Sequence, residues 1–258
     1  MWMTAGEYLT AHAVWHEVGG HGNPPMLRQF RAHGLDEERC AALERRSGGY
    51  NRGVPTLPNR YRTLPNRYRR LFDGDELIIG GQRWQVRVGY GHSPEHAALY
   101  SPDLGVLISG DMLLPTISTN VSVFAVTPEA DSLTDYLQSI DRYRELPAAT
   151  LVLPSHGMPF YGIAGRVDAL HAHHEDRLQL LEEYCQTSRS AADLLPMLFA
   201  RELDTHQTMF AMGEAIAHLN RLEHAGRVMR SEEGDGRIRF VASGRASAAS
   251  GSGEAGSG

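Results

Sequence analysis

The chain has 258 residues, 41% of them hydrophobic and 22% charged, with 27 glycines, 13 prolines and 2 cysteines. That suits one large soluble domain or two modest ones. Its 25 cationic side chains are all arginines, which excludes lysine nucleophiles, Schiff bases and phosphate-loop lysines, and its formal charge of −6 gives no overall attraction to nucleic acid or an anionic membrane.

Cys40 and Cys185 are too few and too far apart for a disulfide framework or a thiolate zinc site, whereas histidines number 13. Any metal ligands are therefore His and carboxylate. The start, MWMTAGEYLT, lacks a basic region followed by an apolar one, and no later stretch of about 18 apolar residues could span a bilayer. These features predict a cytoplasmic protein with no membrane partner.

Thr4 and Glu7 form a capping-box pattern ahead of Tyr8, Leu9, Ala11, Val14 and Trp15 at helical spacing, up to Gly19 and Gly20. Pro24 and Pro25 precede a short helix, MLRQFRAHG, and Asp36 caps a second, EERCAALERR. The chain to residue 47 therefore reads as helical. Residues 48 to 70 have no periodicity and contain TLPNRYR twice in succession, from Thr56 and from Thr63. A tandem copy beside no other repeat reads as a duplication in a tolerant surface loop; an arginine-rich substrate clamp is the alternative.

From Asp73 the period becomes two. ELIIGGQRWQVRVG is two strands joined at Gly80 and Gly81, AALYS a third, and VLISG a fourth after a Pro-Asp-Leu-Gly turn. A helix over 132–144 leads to TLVLP, a short buried strand, and a long helix spans 163–185. Beyond it, Ser190 caps AADLLPMLF, a helix covers MFAMGEAIAHLNRLEHAG, and RVMRSEEGDGRIRFV is a hairpin turned at Asp235 and Gly236. This order suggests a winged-helix-like unit over 187–242, after a first domain over 1–186 and before a Gly/Ser/Ala tail, 243–258, expected to be disordered.

Three metal-ligand residue types stand at predicted strand exits: His92 in GYGHSPEH, Asp111 in LISGDMLL and His156 in LPSHG. Strand ends are rigid, and Gly91, Gly110 and Gly157 permit the sharp turns that aim side chains inward. His96 fits a role orienting His92 or facing substrate, and Ser118, Thr119 and Asn120 fall where a loop could line a pocket. His171 and His174 share a face of the long helix and read as packing or surface residues. His12, His16 and His21 read as surface histidines, since HEVGGH is not the HExxH spacing. No nucleophile elbow and no dinucleotide-binding glycine motif occurs.

This succession of Gly-His-Ser, Ser-Gly-Asp and Ser-His-Gly motifs over 2–177 resembles the metallo-β-lactamase-fold hydrolases. The resemblance implies an α/β fold, an αββα sandwich with an appended winged-helix domain. It also implies two zinc ions, with Asp111 as the catalytic bridging carboxylate, His92 on the first, His156 on the second and a metal-bound hydroxide as nucleophile. The family's His-x-His-x-Asp-His cluster would fall upstream of WMTAGEYLT, so the sandwich reads as truncated, with two protein ligands per metal where a catalytic zinc has three. Strand edges left unpaired then predict that the chain dimerises, as a homodimer, or aggregates.

The implied reaction is hydrolysis of an ester, thioester, lactone or similar acyl small molecule, impaired if the missing ligands are not supplied. A nucleic-acid phosphodiesterase of the same fold and a non-catalytic remnant are the alternatives. Thr187 to Val241 holds 7 Arg against 8 Asp and Glu, which does not favour nucleic acid, although Arg227, Arg230, Arg237 and Arg239 cluster on the predicted wing.

Overall fold

The computed structural model describes residues 1–45 and 67–244; the tandem heptapeptide, apart from its last residues, and nearly all of the Gly/Ser/Ala tail lie outside them. The order is β1 (Trp2–Met3), α1 (Ala5–Trp15), α2 (Asn23–Ala32), α3 (Glu37–Arg45), β2 (Arg69–Arg70), β3 (Glu76–Ile79), β4 (Gln82–Gly89), β5 (His96–Ser101) and β6 (Val106–Gly110). Then come α4 (Ser132–Asp141), β7 (Leu151–Pro154), α5 (Ile163–Tyr184), α6 (Ala191–Leu198), α7 (Thr205–His224), β8 (Val228–Glu232) and β9 (Ile238–Ala242).

The main sheet has the order β3-β4-β5-β6-β7, antiparallel except for β7, which runs parallel to β6 after the α4 crossover. Gly80 and Gly81 both take positive φ, 60° and 80°, as a two-residue hairpin turn between twisted strands requires. Alternation splits the sheet into two faces. Ala98, Tyr100, Leu107 and Val152 join the large core with Leu133, Tyr136 and Ile140 of α4 and Val167 and Leu170 of α5, while Val86, Val88, Leu77 and Leu71 form a smaller cluster.

The large core runs unbroken from Leu27 and Phe30 of α2 to Phe240 of β9. At its centre lies α7, buried at every residue from Ala211 to Asn220 and touching α3, α4, α5, α6 and β8. A helix covered on all sides needs small and apolar residues all round, which MFAMGEAIAHL supplies.

Several expectations are corrected. Thr4 stands at the N-cap of α1, but its side chain makes no cap there; the hydroxyl donates to Glu95 O at 2.7 Å, and Glu7 Oε1 accepts from Glu95 N at 3.1 Å. A tertiary partner has displaced the local box. The amino-terminal region is not wholly helical, and the arginine-rich segment is not wholly loop, because Trp2 and Met3 pair in parallel with Arg69 and Arg70. The helix from Ser132 is α-helical only to Asp141 and tightens to a 3-10 turn over Arg142–Glu145, ahead of Pro147, which disfavours helix in the residue before it. Finally, α7 starts at Thr205, because Asp204 and Gln207 make a reciprocal capping box.

Candidate active site

Strands β4, β6 and β7 point the same way, since β5 is antiparallel to both β4 and β6 while β7 is parallel to β6. Their carboxyl ends therefore share one end of the sheet, where β5 begins at His96. Topology alone puts His92, His96, Asp111 and His156 at one edge.

Glycines make the approach possible. A Cβ on Gly91 (φ 90°) would lie 2.3 Å from Ser132 O, and one on Gly110 (φ 55°) 2.4 Å from His96 Nε2. Beyond these turns, His92 Nε2 lies 3.5 Å from Asp111 Oδ2, and His156 Nε2 lies 3.5 Å from Asp111 Oδ1. Such separations are long for hydrogen bonds. They match the roughly 3.4 Å between neighbouring donors around a tetrahedral ion with bonds of about 2.0–2.1 Å.

The surrounding contacts hold the carboxylate and one imidazole in place. Ser155 Oγ donates to Asp111 Oδ1, and Thr119 Oγ1 donates to Asp111 O at 2.5 Å. The His92 Nδ1 lies 2.8 Å from Asn120 O, so Nδ1 carries the proton and donates, leaving the Nε2 lone pair on the side of Asp111. The His156 side chain is 67% exposed and stands at the rim.

The other predicted residues distribute differently. His96 lies with Nε2 under Gly110 and its ring 6.4 Å from that of His92; Nδ1 is buried without a partner among the described residues. Burial, reinforced by the neighbouring His92, holds its pKa below the ordinary histidine value. The partner that orients His92 is thus Asn120, not His96. Ser118 is half-buried, and the hydroxyl that reaches Asp111 belongs to its neighbour Thr119.

Sequence reasoning missed Ser155, whose only signal was its place beside His156, and Arg166. The latter donates from α5 to Leu114 O at 2.6 Å and Ile117 O at 2.8 Å, fixing the loop after Asp111. Sequence spacing carries no sign of that contact.

The remaining histidines pack elsewhere. His171 Nε2 lies 2.9 Å from Asp141 Oδ1, and His174 is buried with Nδ1 3.1 Å from His218 Nε2, whose own Nδ1 donates to Glu214 O at 2.8 Å. His12 packs on Tyr8 and His21 on Phe124, at 4.6 and 6.3 Å between ring centroids.

Each of the two histidines facing Asp111 addresses a different carboxylate oxygen, so the three side chains make two half-shells sharing one residue. Among the described residues, no group of three or more His, Cys, Asp or Glu side chains closes around a common point. The donor types are those that hold divalent metals, and His92, Asp111 and His156 alone fall short of a closed coordination shell.

The chain belongs to the metallo-beta-lactamase superfamily: residues 11–156 match it, and residues 178–243 match the family described as Metallo-beta-lactamase-like, C-terminal domain. Members of the superfamily typically bind metal ions. Among solved structures, a beta-lactamase domain protein from Burkholderia ambifaria is 47% identical with a TM-score of 0.79, covering 93% of this chain and 65% of its own.

A probable metallo-hydrolase from Bacillus subtilis (strain 168) is 30% identical over 156 residues, 57% of this chain and 46% of its own length. A hydroxyacylglutathione hydrolase from Idiomarina loihiensis is 37% identical over 84 residues, 33% of this chain and 30% of its own. The chain thus spans less than half the length of these curated relatives. Among the described residues, no helix is long and apolar enough to cross a membrane.

Proposed function

We propose that the chain acts as a metal-dependent hydrolase of acyl small molecules, with a thioester as the first substrate to test and zinc as the metal. The observation that carries the reading is the single carboxylate of Asp111 with one imidazole 3.5 Å from each oxygen. His92 and Asp111 would hold one ion, His156 and Asp111 the other. When bound, such an ion supplies Lewis acidity toward a carbonyl or phosphoryl oxygen.

The protein's own contribution is positioning. Ser155 keeps Asp111 aligned, Thr119 fixes the Asp111 main chain, and Asn120 fixes the His92 tautomer. The exposed apolar side chains of Ile117, Met158 and Tyr161, on the loops after Asp111 and His156, supply surface for an acyl group. The thioester choice rests on the hydroxyacylglutathione hydrolase relative, because hydroxyacylglutathione is a thioester.

A nucleic-acid substrate is disfavoured by the partners of the wing arginines. Arg227 pairs with Glu175 and Glu182, Arg230 with Glu129, Arg237 with Asp235, and Arg239 with Asp193 and Glu233. Their charge is compensated where a phosphate backbone would need it free. The α6, α7, β8 and β9 order is read here as winged-helix-like, in a packing role.

The test is zinc titration by calorimetry together with acylglutathione hydrolysis, on the wild type and on Asp111→Asn. The variant should keep the wild-type circular dichroism spectrum and lose zinc affinity and turnover by more than the roughly 10–100-fold that loss of an outer hydrogen-bond partner costs. Zinc-loaded wild type without turnover of any acyl substrate would overturn the hydrolase reading, and an unchanged Asp111→Asn would overturn the site.

A further inference from the structure

We infer that the carboxy-terminal helix α7 is a positioning element of the site, acting on His92 through Ser122 and Asn120, and that Gly213 is the residue that lets it do so. The functional meaning of this inference rests on His92 being a metal ligand; the geometry does not.

The contacts form one chain. The Nδ1–H of His92 donates to Asn120 O at 2.8 Å. The side chain of the same Asn120 is held at both ends, accepting from Ser122 Oγ at 2.7 Å and donating from Nδ2 to Phe210 O of α7 at 3.4 Å. One helical turn further along α7, Gly213 lies directly against Ser122, where a Cβ would fall 2.3 Å from Ser122 Oγ and 2.8 Å from its Cβ. Segment 120–122 is therefore clamped between His92 and α7, with no space left on the helix side.

Position 213 has a preference of its own that makes the argument sharp. Glycine is a poor residue in the interior of a 20-residue helix, and alanine would ordinarily be favoured there. Here a methyl group must push Ser122 outward, moving Asn120 and with it the acceptor that fixes the His92 tautomer. The neighbours cannot readily give, because Ala211, Met212, Ala215 and Ile216 are buried on the same helix.

The experiment follows the imidazole in metal-free, full-length protein. Long-range proton–nitrogen NMR correlations report which ring nitrogen carries hydrogen, and a His92→Gln sample assigns the signal. Wild type should show His92 as the Nδ1–H tautomer at pH 7.5. Gly213→Ala should shift it toward a mixture and weaken zinc binding about tenfold or more, in the range typical for loss of a ligand's outer partner.

The double variant Gly213→Ala, Ser122→Gly removes the colliding atoms but also the hydroxyl that holds Asn120 Oδ1, so it should regain the stability lost to the collision while keeping the altered tautomer. If Gly213→Ala fails to fold, Ser122→Ala and Asn120→Ala, which release the side-chain clamp, are read in its place and should produce the same shift. A folded Gly213→Ala with the wild-type tautomer, or a double variant with the wild-type tautomer, overturns the inference. Wild type that binds no zinc yet shows the predicted tautomer changes would refute the metal reading alone and leave the positioning intact.

Discussion

Replacing His33 with phenylalanine should flatten the acid side of the stability profile. His33 closes α2, is fully buried, and stacks on Phe240 with ring centroids 6.0 Å apart at 18°; among the described residues neither ring nitrogen has a hydrogen-bond partner. Burial, with a smaller contribution from the Arg230 charge, pushes its pKa down from 6.5 to about 4. A lowered histidine pKa means that the native state keeps the ring neutral while the unfolded chain protonates below pH 6.5. The associated stability is present above that value and is lost as pH falls toward the native pKa.

Between pH 7 and pH 5 the unfolded state gains about 2 kcal/mol from this one group, at about 1.4 kcal/mol per pH unit once its ring titrates. Phenylalanine removes that gain and keeps an aromatic ring against Phe240. Urea unfolding of both proteins at pH 7 and pH 5, fitted with a shared slope, measures it. The wild type should lose about 2 kcal/mol more than His33→Phe between the two pH values. Equal losses would refute the reasoning and place the acid sensitivity elsewhere, with the buried His174 and His218, whose pKa values burial also lowers, as the next groups to replace.

Gly91→Ala should be among the most damaging single-methyl changes. The φ of 90° costs a non-glycine residue about 1–3 kcal/mol, and the new Cβ would meet Ser132 O at 2.3 Å and Tyr136 N at 2.6 Å, both backbone atoms that cannot turn aside. A melting temperature unchanged within error would contradict the geometry. Glu95→Ala should free the start of α1 without unfolding the sheet, because Glu95 Oε2 accepts from Gly6 N at 2.7 Å at the positive end of that helix. The expected cost is about 1–2 kcal/mol, seen as faster amide exchange in residues 5–9 with β4–β7 protection retained; uniform protection would refute it.

Strand-end glycines, and the meeting of the residues beside them, were legible because they obey local rules. Gly91, Gly110 and Gly157 all take the positive φ that only their lack of Cβ makes easy, and Gly80 with Gly81 set the hairpin register. Once four strands and a crossover are read in order, their shared end follows from direction alone, which is why residues as distant as His92 and His156 could be expected together. What stayed illegible is the choice a polar side chain makes between a near and a far partner.

Thr4 and Glu7 carry a capping-box spacing, yet both turn to Glu95, because docking α1 on the 93–95 loop satisfies Glu95's main chain as well as the helix end. Ser190 carries a similar signal and does cap locally, since Asp193 answers it within the same turn. The same distinction separates Ser118 from Thr119, and His96 from Asn120. Ser and Thr hydroxyls are interchangeable on paper, and the Asn120 contact is made by a main-chain carbonyl that any residue type supplies, so the fold alone selects the group that faces inward at each point of the loop. Which residues meet at the strand ends is thus a property of short motifs, whereas their orientation depends on contacts from α5 and α7 that lie more than 40 residues away along the chain.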